Sequence, residues 1–254
     1  MKILIAYDGS GYSHASLGDL LQAGLPPEAD VIILSVSEAW LSPIVEEEEI
    51  KAVADSEVAE YFQKYYDQAN RNLAETKVIA EQAKKELSNY FPRWTIKTEA
   101  VSGSPASIIL SRASEFKPNF IVVGAQGLSL DSETGLGSIS QKVLTSAPCS
   151  VRVARAKADV TPHRLIRIVI GFDHSPGSLT AVETVALRQW REKPEIRLVT
   201  ASELLIPLIP GRVFQPIPGF SEGKMIGEQK WVETLAAEAL QTLRNAGLSA
   251  TLHV

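Results

Sequence analysis

Cysteine is almost absent from this sequence of 254 residues, which contains only Cys149. A single thiol excludes an internal disulfide and a metal cluster built from cysteines. No apolar run approaches the roughly 20 residues that a membrane-spanning helix needs. The N-terminal segment also lacks the longer apolar core and the cleavage site of a signal peptide. From these absences we expect a soluble protein of the cytoplasm.

Positive charge is also scarce. The chain has 25 lysines and arginines against 30 aspartates and glutamates, which gives a formal net charge of −5. This balance offers no basic surface for duplex nucleic acid or for an anionic membrane. Hydrophobic residues make up 45% and charged residues 22% of the chain, close to the averages of globular proteins. The composition predicts a folded protein without a nucleic-acid or membrane partner.

Several catalytic signatures are missing from the sequence. It contains no G-x-x-x-x-G-K-[ST] phosphate loop, no G-x-S-x-G nucleophile motif and no H-E-x-x-H metal motif. The four histidines show no metal-ligand spacing; they are His14, His163, His174 and His253. The common hydrolase, kinase and metalloprotease assignments therefore have no support in the sequence.

A repeat is present within the chain. Residues 2–38 align without gaps on residues 167–203, so that KILIAYD at 2–8 stands against RIVIGFD at 167–173. Serines also match in this register: Ser10 with Ser175, and Ser13 with Ser178. Two copies of one module are the simplest explanation of such self-similarity. The sequence therefore predicts one domain at residues 1–157 and a partial second repeat at residues 164–254.

Short apolar runs alternate with helical stretches in the first copy. Ser13 is predicted to cap a helix that extends to about Leu25, and residues 58–90 are long enough for one or two helices. Pro105 opens a further helix, and another begins at Ser138. Strands are predicted at residues 3–6, 30–36, 94–101, 120–123 and 150–154. Strands that alternate with helices predict a doubly wound, open parallel α/β sheet.

The second copy is shorter than the first. Its predicted strands cover residues 165–172, 195–201 and 248–254, and its predicted main helix covers residues 230–246. Nothing in it corresponds to the last two strands of the first copy. Its first strand would then have an unpaired apolar edge, which must be covered. We expect either a homo-oligomer or packing of this half-domain against the first domain.

The most informative motif is Gly124-Ala125-Gln126-Gly127, followed after nine residues by Gly137-Ser138-Ile139-Ser140. It comes directly after a predicted buried strand and leads into a helix, at the edge of the sheet where open α/β folds bind ligands. Glycines let the backbone approach a ligand, and serines add hydroxyl donors. Free N–H groups at a helix N-terminus suit a polyphosphate. The motif therefore predicts a phosphate site.

This glycine pattern, together with an aspartate that ends the first strand, resembles the universal stress protein family. The resemblance covers residues 1–157, and residues 164–254 resemble an incomplete second copy, as in a tandem member. It implies the strand order 3-2-1-4-5 and a cytoplasmic nucleotide-binding module of the stress response. Family members of this kind bind ATP, often with Mg²⁺ or Mn²⁺, and any hydrolysis is slow. The family's usual dimer edge corresponds to residues 150–154.

The resemblance also implies the roles of particular residues. The first-strand aspartate, which contacts adenosine in the family, corresponds to Asp8. Backbone at the ends of three strands frames the base and ribose, at Ala6, Val36 and Val123. The phosphates are held at Gly124, Gly127, Gly137, Ser138, Ile139 and Ser140. Asp173 matches Asp8, but no glycine loop follows it in the second copy, so we predict only a turn there.

Other residues and functions are left open by the sequence. Lys142 lies one turn beyond Ser138 and could reach a phosphate, or it faces solvent. Asp131 and Glu133 could hold a metal through water, or face solvent. Besides an ATP-binding signalling module, the alternatives are an interaction module that dimerises without nucleotide and a nucleotidyl-transferring enzyme. The enzyme is disfavoured because the sequence has no recognisable catalytic motif, and any ATPase activity should be slow because no general base is visibly paired with an attacking water.

Overall fold

Two parallel sheets organise the chain, one of five strands and one of three. The computed structural model describes residues 1–38, 56–126, 135–155, 165–201 and 220–253, with the backbone alone at 56–62 and 220–232. The chain forms two compact units, each containing one of the sheets. The first unit comprises Met1–Gln22 and Pro26–Val160, and the second comprises Ala23–Leu25 and Thr161–Val254.

The first unit contains the five-stranded sheet. Its strands are β1 (Lys2–Ala6), β2 (Asp30–Ser37), β3 (Thr95–Ser102), β4 (Phe120–Gly124) and β5 (Ser150–Ala154). All neighbours are parallel, and their order across the sheet is β3-β2-β1-β4-β5. The predicted doubly wound sheet and its strand order are thus confirmed. The sheet changes direction at β1, because β2 and β3 lie on one side of it and β4 and β5 on the other.

Helices lie on both faces of this sheet. They are α1 (Gly11–Asp19), α2 (Ser56–Tyr90), α3 (Pro105–Phe116) and α4 (Ser138–Ser146). On one face, Leu4, Leu34 and Val123 pack with Ile109 of α3 and Val143 of α4. The side chains that alternate with these point to the other face, where α1 and α2 contact the strands. Burial on both faces explains why β1, β2 and β4 are almost continuously apolar.

The start of α1 differs from the prediction. Ser10, not Ser13, is the N-cap, because its backbone is extended and its hydroxyl accepts a hydrogen bond from the Ser13 N–H. The helix also ends earlier than expected, and a 3-10 turn follows at Leu20–Gln22. Gly24, two residues beyond this turn, has a left-handed φ of 59°, which is a common way for a helical segment to end. The stretch for which one or two helices were expected forms the single helix α2.

The second unit contains the three-stranded sheet. Its strands are β6 (Arg167–Gly171), β7 (Glu195–Val199) and β8 (Ser249–His253), and its helices are α5 (Pro176–Ala186) and α6 (Phe220–Asn245). The order is β6-β7-β8, with parallel neighbours. Ile170, Ile196 and Leu198 form the core with Ala239 and Leu243 of α6. The α6 helix begins ten residues before the predicted residue 230.

No helix in the described part of the chain is long and apolar enough to cross a membrane.

Candidate functional site

The residues predicted to frame a base and ribose lie at one edge of the first sheet. Ala6 ends β1, Val36 lies next to the last residue of β2, and Val123 lies next to the last residue of β4. These strands are adjacent and parallel, with Ala6 in register with Leu34. Their carboxyl ends therefore meet at the same edge. Because the strand order reverses between β1 and β4, a crevice is expected to open there.

The turn after β1 fixes the position of Asp8. The Ser10 N–H donates to Asp8 Oδ1 over 2.9 Å, and Gly9 between them has a φ of 78°, which glycine adopts without strain. Ser13 N–H donates to Ser10 Oγ over 3.2 Å, so the aspartate is tied to the start of α1. Asp8 Oδ2 has no hydrogen-bond partner among the described residues, which leaves it available to a ligand.

The end of β4 packs closely against α1. A Cβ atom at Gly124 would lie 2.9 Å from the Ser13 nitrogen and 3.0 Å from the Tyr12 carbonyl carbon. The space beside Gly124 is therefore filled by the backbone of α1, whereas we had expected it to admit a ligand. Gly124 is needed so that the first turn of α1, and with it Asp8, can approach β4.

The start of α4 is joined to the same point. Ser140 is buried, and its hydroxyl donates to the Gly124 carbonyl oxygen over 2.6 Å. The N–H of Gly137 donates to the Ala125 carbonyl oxygen over 2.7 Å. The predicted hydroxyl donor of Ser140 is thus already used within the protein. This serine instead fixes the first turn of α4 against the end of β4.

The N-terminus of α4 has no side-chain cap. Gly137 is the N-cap residue, with φ −63° and ψ 156°, and it has no side chain to accept a hydrogen bond. The first amides of a helix have no partner within it, and no described side chain caps the N–H groups of Ser138, Ile139 and Ser140. Ser138 is also exposed. Backbone N–H groups in this arrangement are suited to binding an anion.

Some predicted residues cannot be placed at this edge. Gly127, Asp131 and Glu133 lie outside the described residues. Lys142 lies on α4 and is exposed. Among described residues, no group of three or more His, Cys, Asp or Glu side chains is arranged to hold a metal ion.

One residue at this edge was missed by the sequence reasoning. Tyr7 lies between β1 and Asp8 and is only 8% exposed. Burial raises the pKa of its phenol, and the nearby carboxylates of Glu86 and Asp8 raise it further. The sequence signal was a tyrosine directly after a buried strand, which by itself does not distinguish a core residue from a site residue.

The second unit repeats the turn of the first. The Ser175 N–H donates to Asp173 Oδ1 over 2.9 Å, and the Ser178 N–H donates to Ser175 Oγ over 3.2 Å. The corresponding distances in the first unit are the same. The bonds of Asp173 agree with the turn role expected from the sequence.

The sheet and its flanking helices place the first unit among the doubly wound, open α/β proteins. A family model described as the Universal stress protein family matches residues 1–155. The chain belongs to this family.

Three proteins illustrate the likeness. Universal stress protein YxiE of Bacillus subtilis is 28% identical over 156 residues, covering 61% of this chain and 98% of that protein. The solved structure of universal stress protein UspA from Lactobacillus plantarum is 22% identical, covers 61% of this chain and 97% of that one, and has a TM-score of 0.48. A family protein of Arabidopsis thaliana with AMP bound is 16% identical, covers 64% of this chain and 95% of that one, and has a TM-score of 0.39.

Replacing Gly124 with alanine tests the contact between β4 and α1. We expect Gly124→Ala to lower the free energy of unfolding by about 1–3 kcal/mol, because backbone atoms of α1 cannot move aside cheaply. Gly135→Ala is the control, since a Cβ there meets nothing within 4 Å. Thermal and urea unfolding without ligand would measure both. Equal stability of the two variants would contradict the packing described.

The carboxyl group of Asp173 should titrate unusually low. Hydrogen bonds from the hydroxyl and the backbone N–H of Ser175 lower its pKa from 3.8 to about 2. Because the folded pKa is depressed, this stabilisation is complete above the unfolded pKa and is lost as the pH falls through about 2. We expect Ser175→Ala to raise the pKa towards 3.8 in a carbon-13 NMR titration. A pKa unchanged by this substitution would show that the Ser175 hydroxyl is not the cause.

Proposed function

We propose that the first unit binds ATP at the crevice between β1 and β4, with the phosphates at the N-terminus of α4. The observation that carries this proposal is the uncapped first turn of α4, which Ser140 holds against Gly124. Main-chain amides in such a place bind anions without a dedicated cationic side chain. The triphosphate supplies the negative charge that these amides lack.

Asp8 lies on the other side of the proposed crevice. Its free Oδ2 atom would accept a hydrogen bond from the adenosine moiety, while Oδ1 stays in the turn. The backbone near Ala6, Val36 and Val123 would frame the base and the ribose. Gly127 would add backbone N–H groups to the phosphates. Mg²⁺ or Mn²⁺ would accompany the triphosphate by bridging its oxygens.

We propose that the protein acts as a nucleotide-dependent module of a stress response or of signalling. Rapid phosphoryl transfer needs a positioned base and charge-stabilising groups, and the sequence motifs for them are absent. Any hydrolysis of ATP should therefore be slow. We further propose that the second unit is an incomplete copy of the first, which the matching turns at Asp8 and Asp173 support. Self-association would occur through β5 or through the second unit.

An aspartate at the α4 N-cap should separate nucleotide binding from stability. In Gly137→Asp, the new carboxylate would cap the free amides and repel the phosphates. We expect the affinity for ATP to fall about tenfold or more. The thermal stability without nucleotide should stay equal or rise, because aspartate is a favoured N-cap residue. Isothermal titration calorimetry with and without Mg²⁺ would measure the affinity.

The matched control places the same charge in the second unit. Gly177→Asp puts a carboxylate in the first turn of α5, where no nucleotide is proposed, and a Cβ there has room. This variant should bind ATP as the unmodified protein does. If Gly137→Asp bound ATP with unchanged affinity, the phosphate site would be elsewhere. If the unmodified protein bound no nucleotide, the interaction-module alternative would be favoured.

A second substitution tests the adenosine side of the site. Asp8→Asn keeps an oxygen acceptor for the turn but removes the charge, so we expect weaker ATP binding without loss of fold. Asp173→Asn is the control, because it makes the same change in the matching turn of the second unit. Calorimetry should show reduced affinity for the first variant only. Equal affinity of both variants would remove Asp8 from the site.

A further inference from the structure

The turn that carries Asp8 is contacted by a second helix besides α1. A Cβ atom at Gly9 would lie 3.2 Å from Ile79 Cγ2 on α2, and 3.6 Å from Ile79 Cδ1. Ile79 therefore occupies the space in which a side chain at residue 9 would stand. The turn at residues 8–10 is thus packed against α2 as well as joined to α1.

The second unit shows that the turn itself accepts a side chain at this position. His174 stands where the first unit has Gly9, with a φ of 61° against 78°. In both turns the hydrogen bond to the aspartate has a length of 2.9 Å. The two turns differ in their surroundings, because Asp8 is half-buried and Asp173 is exposed. The missing side chain of Gly9 is what lets Ile79 approach the first turn.

Glu86 is the second point at which α2 reaches this part of the first unit. Its Oε2 atom lies 3.3 Å from His14 Nδ1 on α1, and its Oε1 atom accepts from the Tyr90 hydroxyl over 3.0 Å. Burial and then the charge of Glu86 raise the pKa of Tyr7, the residue before Asp8. Glu86 thus links α2 to the helix that follows the aspartate turn.

These two residues of α2 share one face of the helix. Ile79, Ala83 and Glu86 are spaced by four and three residues, which places them on the same side. Ala83 is buried, and so are Ala80 and Leu87 beside it. The helix packs against β2 and β3. The Asp8 turn therefore rests on a helix that the sheet itself holds in place.

We propose that Ile79 and Glu86 are positioning residues of the nucleotide site, which hold Asp8 in place for adenosine without contacting the nucleotide. This inference rests on the proposed function and adds that α2 sets the nucleoside part of the affinity. A turn that is already held in its binding conformation costs less to order when the ligand arrives.

The phosphate side of the site has a support of its own. The Ser140 hydroxyl donates to the Gly124 carbonyl oxygen and fixes the first turn of α4. Loss of the α2 contacts should therefore weaken the binding of adenosine and of ATP by the same factor. A substitution on the phosphate side, such as Gly137→Asp, should weaken ATP alone.

Substitutions at Ile79 test the support of the turn. Ile79→Ala removes Cγ2 and Cδ1, the two atoms nearest to a Cβ at Gly9, whereas Ile79→Val keeps Cγ2. We expect Ile79→Ala to weaken adenosine and ATP about three- to tenfold, and Ile79→Val to bind almost as the unmodified protein does. Val78→Ala is the matched control on α2, because Val78 is 56% exposed. NMR titration with adenosine, and with ATP and Mg²⁺, would measure affinities into the millimolar range.

Glu86→Gln tests the link between α2 and α1. Glutamine keeps an oxygen that can accept from Tyr90 but loses the charge that faces His14. Because partly exposed ion pairs contribute little, we expect about a twofold loss of affinity for both ligands. Glu115→Gln is the control, since it removes a charge paired with Arg112 on α3 and should change neither affinity. Unchanged binding in Glu86→Gln would remove Glu86 from the proposal.

Amide hydrogen exchange without ligand gives a second readout. The Ser10 N–H donates to Asp8 Oδ1, so its exchange rate reports how firmly the turn is held. Ile79→Ala should speed this exchange and leave the matching Ser175 N–H unchanged. A general loss of stability would also speed the amides of β1 and β2, which distinguishes it from a loosened turn.

The outcomes separate this inference from the proposed function. If Ile79→Ala bound both ligands as the unmodified protein does, the ATP site would stand and the role of Ile79 would be overturned. A loss for ATP without a loss for adenosine would also overturn it, since α2 would then act on the phosphates. So would an unmodified protein that binds ATP but not adenosine. If the unmodified protein bound neither ligand, the proposed function and this inference would fail together.

Discussion

β1 is bonded along both of its edges, and the first unit is arranged around that constraint. The Tyr7 N–H donates to Leu34, just after β1, while the Lys2 carbonyl accepts from Asn119 on the other side. Alternate residues thus bond to β2 and towards β4. The chain passes from β1 to β2 on one side of β1, and later forms β4 on the other side. The loops that follow β1 and β4 therefore diverge at the carboxyl edge of the sheet. The crevice proposed for ATP lies where they diverge.

The side chains at this crevice mainly position the backbone. The glycine at 124 lets α1 approach β4, Ser140 ties α4 to the same strand, and Ser10 ties Asp8 to α1. What remains for a ligand is the uncapped first turn of α4 and one oxygen of the aspartate. A site built from main-chain amides held in advance costs little rearrangement on binding. The proposed site would therefore need no lysine-containing phosphate loop.

The sequence predicted the sheet well, because buried parallel strands are continuous apolar runs and their order followed from the family resemblance. It predicted the contacts at the site less well. The roles of Gly124 and Ser140 depend on how closely α1 and α4 approach β4, and no local pattern encodes such a tertiary distance. The early start of α6 was missed because Gly223 and Gly227 lower helix propensity in that stretch. The N-cap of α1 was predicted at Ser13 and lies at Ser10, because serine is a favoured N-cap residue at either position.

The central claim is that main-chain amides at the start of α4 bind the phosphates of ATP. The most direct test is a nitrogen-15 NMR titration of the assigned protein with ATP, followed amide by amide. The account predicts that the largest shifts occur at Ser138, Ile139 and Ser140, with none at Ser175 and Ser178 in the second unit. Saturation with ATP that leaves the amides of α4 unmoved would contradict it.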